Sequence, residues 1–467
     1  MKRSHFLKLI GLSIAAPVFG QTSTKKNSKT NTNRDKRADD ITNYGALSDG
    51  KTDASSAIRA CLKANSSAYI PMTTHGFIAG DIVVNQSKIH GNGTLIRKNK
   101  SSYTLLTKGS NCEVNGIVFK SQGSKYTNGV SDIIIGESSK SIRIHNCKFE
   151  SSHYCSISAD KNSDSDLKLT YKSPVKSIVI SKNIFSGKYS RALYLHSVED
   201  LQIIDNIIKE TLYDGIRLRQ RIKKCIISKN LFNDIGIKKH QDSQDAIDTY
   251  WSGEELIISD NIIKNCSKNA IEVKGVSPDS TGATGKVVIS GNEILNTAYS
   301  AIHISSGASK TTKVKDFVIA NNIIKKAGTV GAKKGNAAIF IRHGVESLVI
   351  SSNIISENNS RGIFLANLEK DQGAIKNVTI SANNLVDNGN KDEGYAILSS
   401  GVENCIISAN NIENKNGLQK VAIAITDQKD KSSKAVISSN IISSNHKETI
   451  LYNKKNKNIK VVNNLIN

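Results

Sequence analysis

A nine-residue pattern, in which two alternating apolar residues lead to a small or apolar residue, one variable residue, an Asn, a further variable residue and an apolar one, recurs at intervals of roughly thirty residues. It reads SIVISKNIF from Ser177, DLQIIDNII from Asp200, KCIISKNLF from Lys224, ELIISDNII from Glu255 and KVVISGNEI from Lys286. It continues as DFVIANNII, SLVISSNII, NVTISANNL, NCIISANNI and KAVISSNII, and ends in NIKVVNNLI. The Asn occupies one place in every copy: Asn183, Asn206, Asn230, Asn261, Asn292, Asn322, Asn353, Asn383, Asn410, Asn440 and Asn464. Recurrence at this period marks a solenoid, and stacked coils would place these amides in a ladder that satisfies a buried bend.

The segment Gln244–Gly275 shows one full unit. Alternation in AIDTY from Ala246, in ELIISDN from Glu255 and in AIEVK from Ala270 predicts two short strands per coil. The fold class is therefore all-β, a right-handed parallel β-helix with coils about 4.8 Å apart and apolar residues stacked inside. The hand comes from the known fold class, since no residue pattern fixes it.

Residues 1–20 have a basic start, an apolar run from Leu9 to Phe19 and small residues before Gln21, the pattern of a signal peptide. The chain is accordingly expected to be exported, to the periplasm, cell surface or medium. No other stretch is apolar enough to span a membrane. Residues 21–39 are rich in Lys, Asn, Ser and Thr and read as a flexible basic linker. A single β-helix domain is expected over 40–467, with a cap over about 40–85 and coils over about 86–467. The cap should contain a helix beginning near Asp53 and a strand ending at Pro71, covering the open edge of the first coil.

Tyr44-Gly45-Ala46, Asp49-Gly50, Thr52-Asp53, Ala57-Ile58 and Tyr69-Ile70-Pro71 resemble the N-terminal cap motif of the pectate lyase-like β-helix superfamily, which includes polysaccharide lyases, polygalacturonases and phage tailspikes. The resemblance implies a carbohydrate-active protein without choosing a reaction. The formal charge of +23 points to a polyanion partner. With aromatic residues at 5%, there is little on which to stack nucleic-acid bases, so an acidic polysaccharide is expected instead. Lys-rich turns that merely keep a solenoid soluble would give the same charge. Nothing in the sequence sets the oligomeric state. The seven cysteines contain no metal-binding spacing; Cys112, Cys225 and Cys405 fall on inward positions and no disulfide framework is expected.

The chemistry emerges when the other strand is aligned between coils. A small residue and an inward aliphatic precede an outward column of Tyr194, Arg217, Asp248, Glu272, His303 and Phe340. Two residues on, a second column reads His196, Arg219, Tyr250, Lys274, Ser305 and Arg342. Later coils turn bland at Phe364, Leu398 and Ala424. An exposed charge ladder would also bring Arg217, Asp248 and Glu272 together. Carboxylates clustered beside Arg, Lys, His and Tyr are equally what a reactive cleft requires.

Three reactions could use these groups. β-Elimination on a uronate needs a neutraliser for the sugar carboxylate, a base for the C5 proton and an acid for the leaving oxygen. Arg217, Arg342 or Ca²⁺ held by Asp214, Asp245, Asp248 and Glu272 could neutralise, Lys274 or His303 could be the base, and Tyr250 the acid. No organic cofactor is expected. C5 epimerisation shares the opening step. Within the resemblance, QDAID at 244–248 followed by NAIEVKG at 269–275 is similar to the calcium-site and catalytic-lysine pair of some β-helix lyases, but Glu272 stands where the lysine is expected and Lys274 lies two residues on. Glycoside hydrolysis would use Asp248 and Glu272, whose spacing of one coil is near that of retaining enzymes. A non-catalytic glycan-binding solenoid would use Tyr194, His196, Arg219, Trp251 and Arg342 only to grip. β-Elimination is the expected reaction and hydrolysis the alternative.

Overall fold

The structure, a computed structural model, describes residues 37–467 except 123–126, 152, 160–172, 220–221, 238–243, 251–254, 276–284, 307–313, 331–335, 368–372, 391–393, 427–432 and 455. The expected signal peptide and most of the linker lie outside these residues.

Three parallel sheets run the length of the solenoid, two of fifteen strands and one of fourteen. The first sheet begins at Ser67–Ile70, the second at Phe77–Ala79 and the third at Ile82–Asn85, and each strand pairs with its counterpart one coil on. The coil therefore has three strands where the periodicity predicts two. The missed strand is the short one after the ladder Asn, such as Ile262–Cys266 or Ile354–Ser356. Its apolar residues run on from the preceding strand, so no break in alternation announces it.

The bend between those two strands is made by a left-handed residue followed by the ladder Asn. Lys182, Asp205, Lys229, Asp260, Gly291, Asn321, Ser352, Ala382, Ala409, Ser439 and Asn463 all have φ between 51° and 68°. Only one of these is Gly, so most copies accept the steric cost of a Cβ in this region. Hydrogen bonds offset it. The Asn292 side-chain amide donates to the Ile258 and Ser290 carbonyls and to Asn322 Oδ1, while its own Oδ1 accepts from both the backbone and side-chain nitrogens of Asn261. The same contacts repeat to Asn464, and the ladder starts one coil earlier than the repeat suggests, with the backbone N–H of Cys147 donating to Asn183.

Inside, like stacks on like. Ile144, Ile180, Ile203, Ile227, Ile258, Ile289, Ile319, Ile350, Ile380, Ile407 and Ile437 form one buried column. Phe119, Phe149 and Phe185 stack with ring centroids 4.9 and 4.7 Å apart. Cys112, Cys225 and Cys405 are inward as expected, and all seven cysteines are buried and free. The cap helix, α1 (Ser55–Asn65), buries Ala57, Ile58, Cys61 and Leu62, the one-sided spacing that lays a helix over an apolar edge. Asp53 Oδ1 accepts the N–H of Ser55 at its start. In the last coil Leu465, Ile466 and Val462 are about half exposed. No helix among the described residues is long and apolar enough to cross a membrane.

Candidate active site

The third sheet carries the aligned columns in the expected register. Tyr194, Arg217, Asp248, Glu272, His303 and Phe340 are successive partners, and so are Tyr250, Lys274, Ser305 and Arg342. What the sequence does not convey is their burial. Tyr194, His196, Arg217, Arg219, Asp248 and Glu272 are all buried although they point away from the coil interior, so this is not an exposed charge ladder. Arg342 is half-buried at the next coil. The side chain of Tyr250 and the whole of Trp251 lie outside the described residues.

The turn before each of these strands positions the carboxylates. Asp214 Oδ1 accepts the backbone N–H of Asp245, Asp245 Oδ1 accepts that of Asn269, and Asn269 Oδ1 accepts that of Ser300. Asp214 and Asp245 thus continue a second side-chain ladder, which holds their other oxygens towards the outward columns. Arg191 Nε and Arg217 Nη1 reach Asp214 Oδ2 at 3.2 and 3.3 Å. Arg219 Nη2 donates to Asp248 Oδ2 at 3.0 Å, with Arg217 Nε at 3.6 Å. Lys274 Nζ sits 3.4 Å from Asp248 Oδ1 and 3.0 Å from Glu272 Oε2. Lys268 Nζ lies 3.8 Å from Asp245 and 3.7 Å from Glu272.

Beyond Lys274 the pattern changes. His303 Nδ1 is 3.0 Å from Glu272 Oε1, and its ring stacks on Phe340 at 5.0 Å with 6° between planes. In the neutral ring, an Nδ1–H donated to the carboxylate leaves the lone pair on Nε2. Nε2 is buried and, among the described residues, has no hydrogen-bond partner.

Electrostatics separates the carboxylates. Burial, then repulsion from Glu272, raises Asp245 well above its ordinary value. Burial would raise Glu272 too, but the His303 hydrogen bond and the Lys274 charge hold it well below. The two neighbouring carboxyls are thus pushed in opposite directions, Asp245 towards holding a proton and Glu272 towards the charged form. Burial also raises Asp214, helped by Asp248 and opposed by Arg217 and Arg191. Lys268 is raised because Asp245 and Glu272 overrule its burial.

The Asp245 shift fixes the sign of a pH effect. A folded-state value above the unfolded one means that the native state binds the extra proton, so the cost of folding grows as pH rises above the unfolded value near 4. Asp245→Asn, whose amide supplies a permanent donor, should melt higher than the wild type at pH 7, with the difference closing as pH falls towards 4. Thermal melts across that range check this, and a difference that widened on acidification would contradict the assignment.

Calcium fits this donor set poorly. Oxygens of Asp214, Asp245 and Asp248 come within 4.8 Å of one another, as a shared cation would need. Calcium takes six to eight oxygens, whereas Arg191, Arg217, Arg219 and Lys274 already occupy those of Asp214 and Asp248. Glu272 is turned to Lys274 and His303.

The alignment of columns misses Arg191 and Lys268. Arg191 is the register partner of the turn position held by Asp214 and Asp245, one coil before them, so extending that column backwards would have found it. Lys268 sits in a loop outside any strand, and no periodicity marks it. Two open grooves of about 570 and 410 Å³ lie elsewhere, on the outer face of the first sheet, lined by residues such as Ile257, Val288, Val318 and Val349. Among the described residues no ion pair joins the Glu255, Lys286 and Asp316 that line the larger one, so the third sheet is the better candidate for chemistry.

Comparison with known proteins supports the architecture. The family described as right handed beta helix region matches residues 131–318. No curated protein sequence matches the chain. Among solved structures, gene product 12 of bacteriophage phi29 in its pre-mature form aligns with TM-score 0.59 at 13% identity, covering 86% of this chain; this chain spans 52% of that one, about half its length. A double mutant of the tailspike of E. coli bacteriophage HK620, in complex with a pentasaccharide, aligns with TM-score 0.57 at 10% identity, over 90% of this chain and 80% of that one. The A-module of the mannuronan C-5 epimerase AlgE6 of Azotobacter vinelandii gives 0.50 at 12% identity, over 92% and 99%. The chain is a right-handed parallel β-helix.

Proposed function

We propose that this protein acts on a uronate-containing polysaccharide by removing the C5 proton, with His303 as base, and that the outcome is β-elimination. The observation that carries the reading is the Glu272–His303 pair: a charged carboxylate orients the ring through Nδ1 and leaves Nε2 without a partner among the described residues. The charge presented outward supports an acidic substrate. Side chains of Lys268, Lys274 and His303 are 29%, 19% and 15% exposed, whereas those of Asp248 and Glu272 are 0% and 4% exposed. A uronate carboxylate meeting this surface finds cations. Lys274, paired with two carboxylates, is better suited to neutralise it than to accept a proton, which moves the base from Lys274 to His303.

Hydrolysis is disfavoured because Asp248 is engaged by Arg219 and Lys274 and Glu272 by Lys274 and His303, whereas an acid and a nucleophile must be free to act on the glycosidic bond. C5 epimerisation remains the second reading, since it begins with the same proton abstraction. The pentasaccharide-bound tailspike and the mannuronan epimerase are fold neighbours whose named ligand or substrate is a glycan, which agrees with a carbohydrate-directed face. The basic, apolar-cored leader fits an exported enzyme acting on such a polymer.

Incubation with a panel of uronate polysaccharides, followed by ultraviolet absorbance, tests this. An unsaturated product should accumulate, and at the same rate after chelation because no step needs calcium. New reducing ends without absorbance would favour hydrolysis and displace the proposal.

A further inference from the structure

We infer that Arg191 is a distal anion subsite that binds a second carboxylate of the same glycan chain, so that the protein selects oligomers over short fragments. This rests on the uronate reading and deepens it. The Arg191 guanidinium carbon lies 5.3 Å from the ring centroids of both Tyr154 and Tyr194 and 5.7 Å from that of Tyr213. Its Nε is tied to Asp214 Oδ2 at 3.2 Å. Three aromatic faces and one carboxylate fix the plane of the group, which removes the conformational cost of ordering it on binding.

The two terminal amino groups are what remain. They make no hydrogen bond to any described residue, and the side chain is 14% exposed. A planar fork of N–H donors without a partner among the described residues can take a carboxylate through two parallel hydrogen bonds. Arg217 and Arg219, by contrast, are turned to Asp214 and Asp248.

Position supplies the selectivity. Tyr194, against which Arg191 packs, is four strand positions from His303 along the third sheet, about 19 Å at the usual strand spacing. A single sugar or a disaccharide at His303 cannot reach that far, whereas a longer chain laid along the solenoid can. The anion is taken to be a uronate carboxylate because the charge that fits Lys268 and Lys274 recurs along such a polymer.

The test measures Kd for mannuronate and galacturonate oligomers of increasing length, from the disaccharide upward, in a His303→Gln background that halts turnover. Arg191→Lys keeps a cation beside Asp214 but lacks the fork, and Tyr213→Ala loosens its cage without touching its charge. Both should raise Kd for long oligomers, the first by about 10- to 100-fold, and leave the disaccharide unchanged. Oligomers with carboxyls reduced to alcohols should bind all variants alike. An equal loss at every length would place Arg191 at the reaction centre and overturn the inference, as would no loss at any length. If the parent protein binds no uronate oligomer, the substrate reading itself fails and takes this one with it.

Discussion

His303→Gln should lower kcat on a polyuronate by about 10²- to 10⁴-fold while leaving the melting temperature close to that of the wild type. The glutamine amide can still donate to Glu272 Oε1 and fill much of the space over Phe340, so packing is largely kept and only the lone pair is lost. KM should move little, because the cations that meet the substrate, Lys268 and Lys274, are untouched. Glu272→Gln should fall between wild type and His303→Gln: it frees the ring to adopt the other tautomer and leaves Lys274 and Lys268 without their shared carboxylate. If Lys274→Ala abolished kcat and His303→Gln did not, the base would return to Lys274.

The second large effect is on stability. Asn292→Ala should destabilise the solenoid by about 3 kcal/mol or more, because it removes five hydrogen bonds at a fully buried bend and orphans the backbone N–H of Asn261. Asn411→Ala is the control. That Asn is only partly buried and bonds Asn384 and Glu413 through its side chain, so its replacement should cost less than about 1 kcal/mol. Denaturant unfolding of both variants measures the difference, and equal costs would show that the amide ladder is not what fixes the coil.

That contrast explains how much of the fold was legible. An Asn whose side chain must satisfy the same backbone groups in every coil leaves a mark in every repeat, from Asn183 to Asn464. The strand that follows it does not. In ELIISDNII only two residues, the left-handed Asp260 and the ladder Asn261, separate Leu256–Ser259 from Ile262–Cys266.

The candidate site was legible in one dimension. Period and register placed Arg217, Asp248, Glu272 and His303 in one column, because a parallel sheet keeps its residue order from coil to coil. Depth was not legible. Whether Asp248 faces solvent or lies under Arg219 and Lys274 depends on side chains from neighbouring coils, and so does the division of labour between Lys274 as counter-ion and His303 as base. Arg191 escaped notice because its column was read from Asp214 onwards, although its place in that column was visible.

The most direct test of the central claim follows the C5 proton itself. Turnover of a uronate polysaccharide in heavy water, read by proton magnetic resonance, should show the C5 signal lost, with unsaturated ends accumulating; His303→Gln should leave that signal intact. Chain cleavage with the C5 proton retained on every sugar would contradict the account.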